Sequence, residues 1–160
     1  MSVAFTKEDS AATASETMLP DRPISEHPNL VTAAGLAALE AQLAEARAGV
    51  EAAASIADVN ERRQAEAIPA RDLRYFDIRV RSAQLMPEPE SNDIVAFGST
   101  VTFRRPDGRV QTYRIVGEDE ADPKQGTISF ASPVARLLMG KQVGDVVGKG
   151  AQELEVVGIG

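Results

Sequence analysis

The 160-residue chain has no cysteine, no tryptophan and one histidine, His27. Without cysteine there is no disulfide, no thiol nucleophile and no Cys-ligated zinc, and one imidazole builds neither a His-based metal site nor a catalytic triad. Aromatic residues are 4% of the chain, which argues against an aromatic-lined pocket. No stretch approaches the ~18 apolar residues of a membrane span. No apolar run follows a basic N-terminal patch, so no signal peptide is visible. These absences predict a soluble cytoplasmic protein whose chemistry is limited to carboxylates, hydroxyls and backbone.

Basic charge is also scarce. The net charge is −7, and acids outnumber bases in each part of the chain: 5 to 2 over residues 1–31, 8 to 7 over 32–86 and 11 to 8 over 87–160. No part has the basic excess that holds a protein on a phosphate backbone by counterion release. Autonomous DNA or RNA binding is not expected.

Residues 1–31 contain Pro20, Pro23 and Pro28, scattered charges and few large apolar side chains. Such a segment buries too little surface to offset its ordering entropy, which predicts a disordered tail docking at most locally through Phe5 or Leu30. At Thr32 the texture changes. Thr32 is a candidate N-cap, and Leu36, Leu39, Leu43, Ala46, Val50, Ala53 and Ala57 then recur at steps of 3 and 4. That spacing is the stripe of an amphipathic, heptad-like helix. A second stripe, Leu73, Phe76, Val80 and Ala83, is interleaved with arginines. Two such helices with a short connection predict an antiparallel hairpin over residues 32–86. Pro69 either begins the second helix or kinks one that starts nearer Glu61.

Residues 87–93, with Pro87 and Pro89, read as a linker, and 94–160 as a small domain. Strands are expected at Ser99–Phe103, Val110–Val116, Gly126–Phe130, Val146–Val147 and Leu154–Ile159, and a short helix at Val134–Met139 after Ser132-Pro133. The fold class is α+β: a helical hairpin, then an antiparallel sheet with one short helix.

The run Tyr113-Arg114-Ile115-Val116-Gly117-Glu118-Asp119-Glu120-Ala121-Asp122, then Ile128-Ser129, Ser132-Pro133-Val134-Ala135-Arg136-Leu137-Leu138-Met139-Gly140-Lys141 and Val143-Gly144-Asp145 resembles the C-terminal signature of the Gre transcription elongation factors. The resemblance extends over residues 32–159. It implies an N-terminal antiparallel coiled coil, an FKBP-like C-terminal domain and a monomeric accessory protein with no reaction of its own. The implied partner is bacterial RNA polymerase, bound at its secondary channel, with nucleic acid met only inside that complex. Asp119, Glu120, Asp122, Ser132, Pro133 and Arg136 are the implied polymerase contacts. From the residues alone, the three acids read equally as a solvated turn, since the oxygen ladder of a calcium loop is incomplete, and Ser132-Pro133 as a helix cap.

In that family an acidic pair at the coiled-coil tip helps hold a Mg²⁺ ion in the polymerase active centre, where backtracked RNA is cut. The matching residues here are Asp58 and Glu61, near the middle of the hairpin. Their three-residue spacing puts both carboxylates on one helical face, and Mg²⁺ is a hard cation that takes one or two carboxylates and keeps waters. A solvated helix surface carries the same pattern. The hairpin is also about two heptads shorter than the family's, roughly 10 Å of reach per helix. The alternative to a cleavage factor is therefore a non-cleaving regulator or inhibitor bound at the same channel.

Overall fold

The computed structural model describes residues 18–160, in two units: residues 18–25 with Leu39–Ser82, and Glu26–Ala38 with Ala83–Gly160. Phe5 and the rest of residues 1–17 lie outside the described residues. Helix α1 is Ala33–Ala54 and α2 is Val59–Ser82, joined by residues 55–58. The first six residues of α1 belong to the second unit.

The expected stripe on α1 is the one that packs. Leu39, Leu43, Ala46 and Ala53 are buried and Val50 is half-buried, whereas Ala57 falls in the connection and is exposed. The connection of residues 55–58 turns the chain back, and Gly49 of α1 lies against Pro69 of α2. The pair is antiparallel. Leu73, Phe76 and Val80 are half-buried on α2; Ala83 lies beyond its end.

Pro69 lies inside α2 and does not begin it. Its ring removes the N–H that Ala65 C=O would accept, and a helix-interior proline costs about 3 kcal/mol. Two local features offset this. Ala65 is exposed, so water reaches its carbonyl. Gly49 faces the ring so closely that a Cβ there would stand 2.9 Å from both Pro69 Cβ and Cγ. Gly49 is the space the ring occupies.

Residues 18–31 depart from the disordered tail expected of 1–31. Arg22 pairs with Asp72 at 3.2 Å, Asp21 pairs with Arg74, and the Arg22 guanidinium sits 3.9 Å above the centroid of the Tyr75 ring. Beside its apolar residues Met18, Leu19 and Ile24, the segment makes charge and cation–π contacts that composition alone does not reveal.

In the second unit, β1 (Leu30–Val31) pairs in parallel with β2 (Gln84–Leu85). The Gln84 amide donates to Asn29 C=O at 2.8 Å and the Met86 amide to Val31 C=O at 2.9 Å. The remaining strands, β3 (Thr100–Arg104), β4 (Val110–Val116), β5 (Thr127–Ser129), β6 (Val146–Val147) and β7 (Leu154–Ile159), form one sheet in the order β5-β4-β3-β7-β6. Three of its pairings are antiparallel as expected, but β4 and β5 are parallel. A parallel pair needs a crossover. Here the chain from Gly117 to Gly126 supplies it, through the 3-10 turn Pro123–Gln125, and brings Ile128 beside Ile115.

Helix α3 (Pro133–Leu138) turns Ala135 and Leu138 into a core built from Val95, Val101, Phe103, Ile115, Leu154 and Val156, with Tyr113 and Phe130 packed against it. Residues 87–93 hold no helix or strand, yet Glu88 pairs with Arg114 at 2.9 Å.

The Gly49–Pro69 contact reverses an ordinary expectation. Gly→Ala inside a helix normally stabilises by up to about 1 kcal/mol. Here Gly49→Ala should lower the unfolding free energy while Pro69 is present, and raise it in a Pro69→Ala background. Chemical denaturation of the four proteins of that cycle measures the coupling.

Candidate functional site

The hairpin end carries Asp58, just before α2, and Glu61, on its first turn, both exposed. Asp58 precedes the helix, and its Oδ1 accepts the Glu61 backbone N–H at 2.9 Å while its C=O accepts the Arg62 N–H at 2.9 Å. Asp58 is therefore the N-cap of α2 and Glu61 stands at the third helical position, the order of a capping box. Their negative charge also suits the positive end of the helix dipole. The spacing read as a metal pair is thus a structural device as well. Arg62 turns its Nη1 to Ile56 C=O at 3.2 Å, holding the connecting loop. Among the described residues, no three His, Cys, Asp or Glu side chains come together to hold a metal ion.

The acidic loop has a more divided character. Asp119 is exposed. Asp122 caps the 3-10 turn, accepting from Lys124 N at 3.1 Å, and its own N–H donates to Thr127 Oγ1 at 2.8 Å. Glu120 turns inward. Its Oε2 accepts the Thr32 hydroxyl at 2.6 Å, and that hydroxyl accepts the Gly35 N–H at 3.0 Å. Thr32 is the N-cap its position predicts, and Glu120 places a carboxylate at the start of α1, whose own first turn has no acid. Gly35 leaves room for it: a Cβ there would stand 2.6 Å from Glu120 Oε2.

On α3, Ser132 Oγ accepts the Ala135 N–H at 3.3 Å and Pro133 opens the helix, so both serve the cap, while Pro133 and Arg136 are exposed. Gly117 is a further requirement that sequence reasoning missed. It lies flat against Leu30, and a Cβ on it would meet the Leu30 carbonyl oxygen at 2.4 Å. A glycine ending a β-rich run was the available signal. Asp21 and Arg22 were missed as well; a charged dipeptide between two prolines, Pro20 and Pro23, was the trace they left.

The described residues form a helical arm whose end displays the capping carboxylate of Asp58 beside Glu61, and a small α+β domain on which Asp119, Pro133 and Arg136 are exposed. Residues 90–159 match the family described as "Transcription elongation factor, GreA/GreB, C-term". The chain is 39% identical over 149 residues to the transcription elongation factor GreA of Hyphomonas neptunium, covering 79% of this chain and 94% of that protein. It is 48% identical over 77 residues to the GreA of Bacillus licheniformis, where the match spans 47% of this chain and only about half, 49%, of that relative. A solved structure, "GreA factor homolog 1 (Gfh1)" of Thermus thermophilus, aligns at 26% identity over 84% of this chain and 99% of that one, with a TM-score of 0.38. The chain belongs to the GreA/GreB family of transcription elongation factors.

Two predictions follow from the caps. Asp58→Ala should destabilise the arm by about 1 kcal/mol, whereas Asp58→Asn, which still caps, should cost a few tenths; thermal unfolding separates them. Glu120→Ala should speed amide exchange at Gly35 and Leu36 at least severalfold while exchange near Asp58 stays unchanged, as read by hydrogen exchange.

Proposed function

We propose that this chain is a Gre-type elongation factor that binds bacterial RNA polymerase at its secondary channel and stimulates cleavage of backtracked transcripts. It acts in the cytoplasm as a monomer and an accessory, lending ligands to an active centre that belongs to the polymerase. Among the described residues, no helix is long and apolar enough to cross a membrane.

The observation that carries this reading is the exposed pair Asp58 and Glu61 at the end of an antiparallel hairpin in a family member. The donor set fits a shared Mg²⁺ better than a resident one. Asp58 has one oxygen engaged by its cap and the other available, and Glu61 is exposed. Two carboxylates are what Mg²⁺ takes when substrate and water fill the rest of its octahedron. When bound, the ion supplies charge neutralisation and an activated water. This chain's part is to hold two oxygens on one rigid turn. The domain over 94–160, through Asp119, Asp122, Pro133 and Arg136, is the docking surface, and Glu120 and Ser132 shape it from within.

Three features favour a second reading. Asp58 is tied to its cap, Arg62 and Arg63 directly follow Glu61, and helices of 22 and 24 residues reach only ~33–36 Å. An arm that falls short would occupy the channel without assisting cleavage.

Stalled, backtracked complexes decide between the two. With wild type, RNA cleavage should rise above the polymerase alone. Asp58→Asn/Glu61→Gln, which keeps the cap, should abolish the rise and still bind polymerase, and raised Mg²⁺ should partly restore it by mass action. Equal cleavage by wild type and double variant, both bound, rejects the catalytic tip; no rise with either supports the obstructing regulator.

A further inference from the structure

Helix α2 carries its aromatic side chains as a neighbouring pair, Tyr75 and Phe76, whose ring centroids stand 5.1 Å apart at 81°. Asp72 precedes them by three and four positions, the spacing that places side chains on one side of a helix. Two rings set near a right angle beside a carboxylate make a receptor for a planar cation: the ring faces attract it and the carboxylate pairs with it. Arg22 fills that place. Its guanidinium carbon stands 3.9 Å from the Tyr75 centroid and 5.1 Å from that of Phe76, and its Nη1 donates to Asp72 Oδ1 at 3.2 Å. Arg71 bonds the same oxygen through Nε at 3.3 Å and Nη2 at 3.2 Å, which steadies the carboxylate. The receptor belongs to α2 alone, and its occupant comes from 50 positions earlier in the chain.

The occupant is lightly held. Side-chain exposure is 37% for Arg22 and 25% for Asp72, a range in which solvent screens an ion pair and leaves it weak. The rest of residues 18–25 is no better anchored: Met18 is 73% exposed, Ile24 40%, and the side chain of Asp21, which pairs with Arg74, 74%. Grooves also open on both sides of the receptor. One, of about 270 Å³, is lined by Arg22, Tyr75, Asp77 and Ile78, and the other, of about 240 Å³, by Asp72, Phe76, Ile68 and Glu45. Each groove carries an acid, so a second cationic chain finds both room and charge beside the guanidinium.

We propose that Asp72, Tyr75 and Phe76 form an arginine-binding site, closed by this chain's own Arg22, and that an arginine on a protein partner exchanges with Arg22 there. Residues 18–25 are then an autoinhibitory cover that leaves α2 as the partner's arginine enters. Lysine is a poorer fit, because a compact ammonium has no plane to lay on a ring and no fork to offer the carboxylate. The site stands on these contacts and does not depend on the polymerase reading above.

Nuclear magnetic resonance of the full chain reads the site through its two tyrosines, Tyr75 and Tyr113. Arg22→Ala and Arg22→Gln each empty the receptor. In both variants N-acetylarginine amide should shift the Tyr75 ring protons saturably and leave those of Tyr113 in place, at concentrations on the order of tens of millimolar, above the effective concentration of a tethered group. Wild type should need about threefold more ligand or greater for the same shift, because Arg22 competes. At saturation the Met18 and Ile24 methyl signals of wild type should move to their positions in Arg22→Ala as the cover leaves. Adding Asp72→Asn to Arg22→Ala should cut the Tyr75 shift about threefold or more, with helix content unchanged by circular dichroism. N-acetylcitrulline amide, the uncharged isostere, should give no shift. No Tyr75 shift in either Arg22 variant, a shift that survives Asp72→Asn, or an equal response to citrulline overturns the arginine site. An equal response in wild type, or methyl signals that stay put while Tyr75 shifts, overturns the cover.

Discussion

The hydroxyl of Thr32 stands between the first turn of α1 and the loop that carries Glu120, all within the second unit. It accepts the Gly35 N–H and donates to Glu120, 88 positions further along the chain. An N-terminal helix turn exposes unpaired N–H groups and a positive dipole end, both of which need an oxygen or a negative charge nearby. Helix α1 has no acid in its first turn, so its start depends on a carboxylate imported from elsewhere. Two glycines make the import possible. Gly35 leaves space for the carboxylate, and Gly117 lets the Leu30 carbonyl lie against the loop that carries it. The pairing of Leu30–Val31 with Gln84–Leu85 then ties the residues before α1 to those after α2.

The same economy is seen at the far end of the arm. Asp58 begins α2 and is also half of the acidic pair proposed to serve the partner. A residue with both duties is fixed in direction by its cap, which is what a shared metal ligand requires, but it offers only its remaining oxygen. Between these ends, Pro69 sits against Gly49. Neither is a good interior helix residue, and the missing side chain of the one leaves room for the ring of the other.

Much of this was legible in the residues. The apolar stripe of α1, the two-helix arm, the strands Val110–Val116, Val146–Val147 and Leu154–Ile159, and the cap roles open to Thr32 and Ser132 rest on local rules of spacing, punctuation and capping. The acidic pair was legible as a pair because three residues on a helix are neighbours whatever else surrounds them.

What only the tertiary structure decided are pairings between residues far apart in sequence. In residues 18–25 nothing local says that Arg22 meets Tyr75 and Asp72, or Asp21 meets Arg74. Glu120 carries the same side chain whether it faces solvent or a helix end, and its direction was settled by where the crossover from β4 to β5 carries the loop. The parallel pairing of those strands was hidden for the same reason: three short residues fit either direction. Local periodicity determines which elements form. Which surfaces they share is decided by shape and charge that meet only once the chain has folded.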